Sequence, residues 1–243
     1  MKSIIRWGTT LGILGAIATT GLGQLKAWAL PAQQIMQKLN SVPVFTITDE
    51  KGTPLVASSK NETQNSQFTG VFISQQDAKN FVARLQNQNP DLGNKVRVVP
   101  VPLGKVYELD QQSEEQGGKL NFTYVPNAEA VNSAKTILDQ NGQQYQGGVP
   151  LFVAKGGADK GYLTIEKDSQ QVIPFFFEKK QLENMVSKFK QQQPDLANTV
   201  NIEVVLLEVV IDTLQNSNDQ TLNKIVLVPS TESLQFLQQN APK

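Results

Sequence analysis

Apolar and polar residues follow one pattern twice along the chain of 243 residues. The stretch QNQNPDL at Gln86–Leu92 and the stretch KQQQPDL at Lys190–Leu196 each end a helical pattern in the same way. Placing Pro90 on Pro194 also aligns the apolar faces that precede them, and each face has the i, i+3, i+4, i+7 spacing of an amphipathic helix. The aligned residues are Ala78, Phe81, Val82 and Leu85 in one copy and Leu182, Met185, Val186 and Phe189 in the other. The chain therefore contains an internal repeat of about a hundred residues, the size of a duplicated domain half rather than of a solenoid unit.

The two copies predict the same order of strands and helices. Apolar runs predict three strands before the first helix, at Val42–Thr48, Thr53–Ser58 and Thr69–Ile73 and again at Val149–Lys155, Tyr162–Glu166 and Val172–Phe177. A fourth strand is predicted after Pro-Asp-Leu, at Lys95–Val101 and at Thr199–Val205. A second helix and a fifth strand follow, and the fifth strands end at Val125 and Val228.

Local signals mark where some of these elements begin and end. Ser74 followed by Asp77 resembles a capping box at the start of the first helix. Pro126 and Pro229 suit the first position of the final helix in each copy, where a missing N–H does no harm. The polar stretch Gln111–Gly118 is interpreted as an insertion in the first copy.

The repeat predicts an α+β protein with two pseudo-symmetric halves, each combining mixed or antiparallel strands with two to three helices. Residues 30–145 form the first half, which begins with a short helix at Pro31–Leu39, and residues 146–243 form the second. The stretch Asn141–Gly148, rich in Gly, Gln and Asn, is predicted to link them. The two halves are expected to make one structural unit.

Residues 1–29 have the features of a secretory signal peptide. Lys2 and Arg6 provide the basic start, Gly8–Gly23 the apolar stretch, and Ala27–Ala29 an A-x-A cleavage site. The mature chain is therefore expected to begin at Leu30, after Sec export to the periplasm, with the thylakoid lumen as the alternative. An uncleaved membrane anchor is the other interpretation of the apolar stretch.

Composition excludes several classes of enzyme. The chain has no cysteine and no histidine, which removes thiol nucleophiles, imidazole bases and Cys/His metal sites. Catalysis by carboxylates or by a Ser/Lys pair remains open. The chain holds 22 basic and 22 acidic residues, and removal of residues 1–29, with three basic and no acidic residues, leaves a charge of −3. That charge argues against nucleic acid and against a polybasic membrane tether.

Two short motifs could suggest catalysis or phosphate binding. Ser187–Lys190 matches S-x-x-K but lacks the companion motifs of penicillin-recognising enzymes, so an exposed helix face is the favoured interpretation. Gly156–Gly161 lacks P-loop spacing and lies between two strands, which favours a hairpin turn.

The acid pairs Asp49–Glu50 and Glu114–Glu115 are not marked as an acid/base pair. They lie in predicted turn or insertion segments, where carboxylates stay hydrated.

Three successive phenylalanines, Phe175–Phe177, lie on one predicted strand. Because neighbouring strand residues point to opposite faces, a sheet with one open face would leave an aromatic side chain at the surface. A central strand covered on both faces would bury all three. The repeat partners, Val71–Ile73, are equally apolar and favour a common structural role.

The phrases VPVF, TGVFIS, NQNPDL and YVPN in the first half, with VPLF, QQQPDL and LVPS in the second, resemble the Tic22-type family. Members of that family are small soluble components of the chloroplast inner-envelope translocon, and cyanobacteria have homologues. The resemblance covers the whole predicted mature chain. It implies a pseudo-symmetric α+β fold with apolar pockets.

The resemblance also implies a role that is not enzymatic. A member would act like a chaperone, binding unfolded polypeptides, and in cyanobacteria would assist outer-membrane biogenesis with an outer-membrane barrel-assembly protein. Neither a cofactor nor a metal is called for. The export signal suits a cyanobacterial, periplasmic member.

Duplication places equivalent apolar residues at related positions, which makes them candidates for binding a polypeptide client. The candidates are Val44, Phe45 and Phe72 in the first half and Leu151, Phe152 and Phe176 in the second. The alternative for the four strand-opening residues is that all of them belong to the core.

Two other functions remain open. A static envelope adaptor would dock on a single partner through one compact patch, whereas a chaperone would have related apolar surfaces on both halves. A carboxylate-based hydrolase would need two acids that converge in a cleft.

Overall fold

The computed structural model describes residues 11–14, 30–58, 67–118, 120–217 and 219–240, which form a mixed α+β protein with two sheets. The strands are β1 (Leu11–Leu14), β2 (Pro43–Asp49), β3 (Val56–Ser58), β4 (Gln67–Phe72), β5 (Val96–Pro102), β6 (Leu120–Val125), β7 (Pro150–Gly156), β8 (Gly161–Lys167), β9 (Gln170–Phe176), β10 (Asn201–Leu206) and β11 (Ile225–Val228). The helices are α1 (Ala32–Leu39), α2 (Gln75–Gln88), α3 (Pro90–Gly93), α4 (Leu103–Glu115), α5 (Ala128–Gln140), α6 (Lys179–Gln192), α7 (Leu207–Asn216) and α8 (Thr231–Gln239). Residues Pro194–Thr199 and Gln220–Lys224 are 3-10 helical. The predicted α+β class is confirmed.

The same strand pairings occur in both sheets. In the first sheet β2 pairs with β4 and β5, and β4 pairs with β3 and, in parallel, with β6. In the second sheet β7 pairs with β9 and β10, and β9 pairs with β8 and, in parallel, with β11. This repeated pattern is what an internal duplication requires, while superposition of the two halves stays a prediction.

The compact units of the structure are not continuous stretches of chain. One unit, here called the N-unit, consists of Ala32–Val131, Gln146–Val149 and Thr231–Lys243. The other, the C-unit, consists of Met1–Pro31, Asn132–Tyr145 and Pro150–Ser230. The last helix, α8, therefore belongs to the N-unit, and most of α5 belongs to the C-unit. The predicted boundaries at residues 30–145 and 146–243 describe the repeat and differ from these units.

The N-unit sheet is covered on both faces. Phe45, Ile47 and Phe72 pack with Ala78 and Val82 of α2 on one face, and the half-buried Phe236 of α8 joins them. Val44 and Val71 point to the opposite face and are equally buried. Helices α1 and α4 approach each other closely at Gly104, where a Cβ atom would overlap the carbonyl oxygen of Met36.

The C-unit sheet is built around two buried strands, β7 and β9. Five successive residues of β7, from Pro150 to Ala154, are buried, and so are five of β9, from Val172 to Phe176. Continuous burial means that both faces of these strands are covered. The apolar face of α6, with Leu182 and Phe189 at 0% and 1% exposed, packs beside β7.

The structure places several element boundaries differently from the sequence prediction. The polar stretch Gln111–Gly118, interpreted as an insertion, is helical as far as Glu115, where α4 ends. Helices α5 and α8 begin two residues after Pro126 and Pro229 rather than at them. Asn127 caps α5 instead, since its Oδ1 accepts a hydrogen bond from the Ala130 N–H at 3.0 Å.

The predicted capping box at α2 is present in part. Ser74 is the N-cap, and its Oγ accepts a hydrogen bond from the Asp77 N–H at 3.1 Å. The Asp77 carboxylate is used differently, because it accepts a hydrogen bond from the Asn127 amide at 3.3 Å. The shorter acid therefore bonds a neighbouring segment of the N-unit.

Of the predicted signal peptide, only Leu11–Leu14 falls within the described residues, where it forms strand β1. The rest of residues 1–29 lies outside them. None of the described helices is long and apolar enough to cross a bilayer.

Candidate functional site

The residues predicted to open the client site lie in the core. Val44 and Phe45 on β2 and Leu151 and Phe152 on β7 are each 0% exposed. Phe45 also makes an edge-to-face contact with Phe236, with ring centroids 5.3 Å apart. Burial of this kind supports the core alternative, and none of the four side chains is accessible to a client in this structure.

Phe72 and Phe176, the other two candidates, are buried as well. They are 5% and 3% exposed, and Phe176 stands opposite Phe152 in the β7–β9 pair. Phe175 and Phe177 are also 3% exposed, so the three successive phenylalanines all belong to the core of a doubly covered strand. All six candidate side chains are therefore buried in this structure, and their role in client binding stays a prediction.

The β3–β4 hairpin of the N-unit carries exposed apolar side chains on both faces. Val56 is 40% exposed and stands opposite Thr69, while Phe68 is 39% exposed and stands opposite Ala57. Neighbouring pairs point to opposite sides of the hairpin, so Val56 and Phe68 lie on different faces. An apolar side chain exposed to this extent is suited to contact another polypeptide.

Phe68 was missed because the predicted strand began at Thr69, one residue after it. In the structure β4 begins at Gln67, so Phe68 alternates with the buried Thr69 and shares a face with Phe72. A usable signal is present in the sequence: Phe68 extends the apolar alternation of Gly70–Phe72 by one step toward the N-terminus.

A set of half-buried apolar side chains borders the α2-facing core of the N-unit. Phe81 of α2 contacts Phe72 with ring centroids 5.5 Å apart. The other members pack against the same core: Leu55, Val96, Val98, Val125 and Phe236. Together with the hairpin, these side chains form apolar surface on the N-unit, and they pack against its buried core.

The C-unit contains a polar cavity of about 500 Å3. The end of α5, the start of α6 and strand β10 line it with residues that include Asn141, Lys179, Glu183 and Glu203. Lys179 and Glu183 form an ion pair at 3.0 Å, one turn apart on α6. A lining of paired charges and amides would have to lose hydration to accept an apolar segment, so this cavity does not suit one.

Beside that cavity, Lys155 of β7 is held by two partners. Its Nζ lies 2.8 Å from a Glu203 carboxylate oxygen and 4.8 Å from the centre of the Tyr162 ring. The hydrogen bond to Glu203 raises the pKa of Lys155, against a smaller opposing effect of burial. The amine is therefore kept charged and is a structural cation rather than a nucleophile.

The short motifs do not assemble a catalytic site in the described residues. Ser187 and Lys190 are exposed on α6, as expected for a solvated helix face. Gly156–Gly161 forms the β7–β8 turn, where the Gly157 N–H donates to Thr199 Oγ1 at 2.8 Å. Within the same residues, no cluster of three or more Asp or Glu side chains could hold a metal ion.

Comparison with known proteins gives a consistent result. The sequence profile of the Tic22-like family matches residues 9–240. A solved structure of Anabaena Tic22, described as a protein of protein transport, is 33% identical with a TM-score of 0.77 and covers 88% of this chain and 99% of its own. Tic22 from Plasmodium falciparum has the same fold, with a TM-score of 0.65 at 22% identity over 84% of this chain and 96% of its own.

A curated relative from a plant gives the same answer. The chloroplast protein TIC 22 of Pisum sativum is 21% identical over 205 residues, which are 84% of this chain and 75% of the pea protein. The family profile spans nearly the whole chain, both compact units included. The chain therefore belongs to the Tic22-like family.

Proposed function

We propose that this Tic22-like protein is a periplasmic, chaperone-like protein that binds unfolded polypeptides and so aids protein translocation and outer-membrane biogenesis. The Anabaena relative is described as a protein of protein transport. The proposal includes no catalytic step and no cofactor. An outer-membrane barrel-assembly protein is the partner that would receive the clients.

The observation that carries the proposal is the β3–β4 hairpin, with Val56 and Phe68 about 40% and 39% exposed on its two faces. Apolar surface binds many sequences because burial is not directional, and each 100 Å2 of apolar area removed from water stabilises a complex by about 2.5 kcal/mol. A non-directional surface of this type suits a protein that meets different unfolded segments.

A second candidate, an adaptor that docks on one partner, is favoured by how exposed apolar residues are distributed. In the described residues, the N-unit holds most of the large exposed apolar side chains: Val56, Phe68, Leu92, Leu109 and Leu237. The C-unit holds Val209, which is 54% exposed. An adaptor with a single docking surface would concentrate its exposed apolar residues on one unit, whereas a chaperone with two equivalent client surfaces would divide them between both units.

An aggregation assay without nucleotide, run with several chemically unfolded clients, tests the proposal. We expect the protein to protect several clients, and Phe68→Asp to need about tenfold more protein for the same protection, a factor that corresponds to 1.4 kcal/mol. Val209→Asp is the matched control, since it places the same charge on an exposed apolar position of the C-unit. Both variants should keep the parental melting temperature because both side chains are exposed.

The outcomes separate the candidates. Protection of no client would refute the chaperone proposal, and protection of one client alone would favour the adaptor. If Phe68→Asp protects as well as the parent does, the hairpin is not the client surface.

A further inference from the structure

Strand β1 is an additional edge strand of the C-unit sheet. Leu11–Leu14 runs antiparallel to β8, and four residue pairs join Leu11 to Ile165, Gly12 to Thr164, Ile13 to Leu163 and Leu14 to Tyr162. The other edge of β8 is already used, because Tyr162 also pairs with β7 and Ile165 also pairs with β9. Leu11–Leu14 therefore occupies the outer edge of β8.

That outer edge lacks the features that usually protect an edge strand. The β8 residues from Tyr162 to Ile165 include no charge and no proline. An uncharged edge without proline is a ready template for pairing with another extended segment. Pairing with β1 satisfies these backbone groups from within the chain.

Two edges of the N-unit sheet, at β5 and at β6, are protected by other means. Strand β5 carries Arg97, Pro100 and Pro102, and proline cannot donate to a neighbouring strand. At β6, Ser113 of α4 meets the backbone of Leu120 twice, accepting from its N–H at 3.2 Å and donating to its carbonyl at 2.7 Å.

A second side chain of α4 bonds the β6 backbone. The Asp110 carboxylate accepts the Phe122 N–H, while burial and the nearby Glu114 charge raise the Asp110 pKa. Side chains of α4 thus satisfy the β6 backbone at both Leu120 and Phe122. Among the edges compared, β8 is the one that is protected by an added strand.

We propose that the outer edge of β8 is a strand-addition site for an extended apolar polypeptide segment, and that Leu11–Leu14 occupies this site in cis. The inference rests on the proposed function and names how a client would bind. Backbone hydrogen bonds supply the affinity in strand addition, so the site accepts many sequences as long as they can extend. The occupant seen here has the sequence Leu-Gly-Ile-Leu, so the proposal takes an extended segment of apolar sequence as the ligand.

Occupancy of the site by Leu11–Leu14 of the same chain determines when a client can bind there. A chain that still carries Leu11–Leu14 covers the site, and removal of the residues before Leu30 uncovers it. Client binding at β8 is then restricted to the processed protein.

Disulfide trapping tests the site without background, because the chain has no cysteine of its own. The test protein is the full chain with Gly12→Pro and Ile13→Pro, which frees the edge. Successive N–H groups point to opposite sides of a strand, so one of the two prolines must remove a bond to β8. Tyr162→Cys then reports on the edge.

The probe is a synthetic peptide with the sequence of residues 9–17, flanked by lysines for solubility. One peptide carries Leu14→Cys and a second carries Leu11→Cys. Leu14 stands opposite Tyr162, whereas Leu11 stands three residues, or about 10 Å, further along the strand. We expect the Leu14→Cys peptide to form the disulfide at least about tenfold faster, since a paired strand raises the effective concentration of its thiol.

Three controls make the result specific. Ile165→Cys should show the reciprocal preference, for the Leu11→Cys peptide. Ala57→Cys on β3, the corresponding hairpin strand of the N-unit, should show no preference between the peptides. The chain without the two prolines should react more slowly at Tyr162→Cys, because its own β1 covers the edge.

Equal rates for the two peptides at Tyr162→Cys would overturn the strand-addition site, and equal rates with and without the prolines would overturn cis occupancy. The aggregation assay on the same proteins separates this inference from the proposed function. Client protection without position-specific disulfides would refute the β8 site and leave the chaperone proposal standing. Position-specific disulfides without client protection would refute the chaperone proposal and leave the β8 site standing.

Discussion

At the scale of single residues, exposure decides what an apolar side chain of this protein can do. Phe152 and Phe68 are both phenylalanines on strands, yet the first is 0% exposed and the second is 39% exposed. Phe152 lies on β7, which is covered on both faces, whereas Phe68 lies near the start of β4 and pairs with the exposed Ala57 of β3. The same residue type therefore packs a core in one place and offers a contact surface in the other.

Replacing Phe152 by alanine should separate these roles. We expect Phe152→Ala to lower the free energy of unfolding by about 3–5 kcal/mol, because it removes a buried ring and leaves a cavity. Val209→Ala, at a position 54% exposed, should change it by less than about 0.5 kcal/mol. Urea denaturation followed by circular dichroism and tyrosine fluorescence measures both variants, since both tryptophans of the chain lie in residues 1–29.

A small effect of Phe152→Ala would mean that the β7 core relaxes around the lost ring. Phe152→Ala that folds normally but loses client protection would instead restore Phe152 as a client-binding residue.

At the scale of elements, the start of α5 depends on one amide side chain. Asn127 accepts from the Ala130 N–H at 3.0 Å and donates to the Asp77 carboxylate at 3.3 Å, so it caps α5 and ties it to the first turn of α2. We expect Asn127→Ala to lower the free energy of unfolding by about 0.5–2 kcal/mol. The urea midpoint and hydrogen exchange at the first turn of α5 measure the loss.

Asn132→Ala is the matched control for the cap. Asn132 is exposed inside α5, where alanine has the higher helix propensity, so the change should be neutral or stabilising by a few tenths of a kcal/mol. Equal losses from the two substitutions would show that the cap does not stabilise α5.

Most elements could be predicted from the sequence because their apolar periodicity is strong. The faces of α2 and α6 and the runs of β2 and β7 are examples. The end of α4 could not, because Gln111–Glu115 are polar residues on a solvated helix that resemble a loop. Ser113 in this stretch is not free in solvent, because its hydroxyl donates a hydrogen bond to the Leu120 carbonyl of β6. Nothing in the sequence indicates that bond.

The site was harder to predict than the fold. Periodicity identifies apolar positions but does not show which faces other elements cover. Val44 and Leu151 were therefore candidates for a client site with the core as the alternative, and both are buried. Strand β1 was not predicted either, since an apolar segment near the N-terminus has the composition of an export signal. Both the burial of Val44 and Leu151 and the formation of β1 depend on elements that are far apart in sequence.

At the scale of the whole molecule, the predicted cleavage before Leu30 would determine which form of the protein is active. We expect protein purified from the envelope of its native host to begin at Leu30, because Ala27–Ala29 follow a basic and then an apolar segment. N-terminal sequencing or intact mass measures this. Ala29→Arg, which spoils the A-x-A pattern, should retain the segment, and a native protein that keeps Met1 and stays bound to membranes would contradict the prediction.

The assignment of Thr231–Lys243 to the N-unit would have a consequence for folding under the predicted export. A chain translocated N-terminus first would deliver β2 to the far side long before α8. Phe45 would then lack Phe236, its aromatic partner, until nearly the entire chain had crossed. Closure of so distant a loop is costly in entropy and slow, and contacts of this kind raise the contact order that limits folding rates. The N-unit would consequently be the last part to finish folding, and during export the protein would itself pass through a partly open stage that exposes its core.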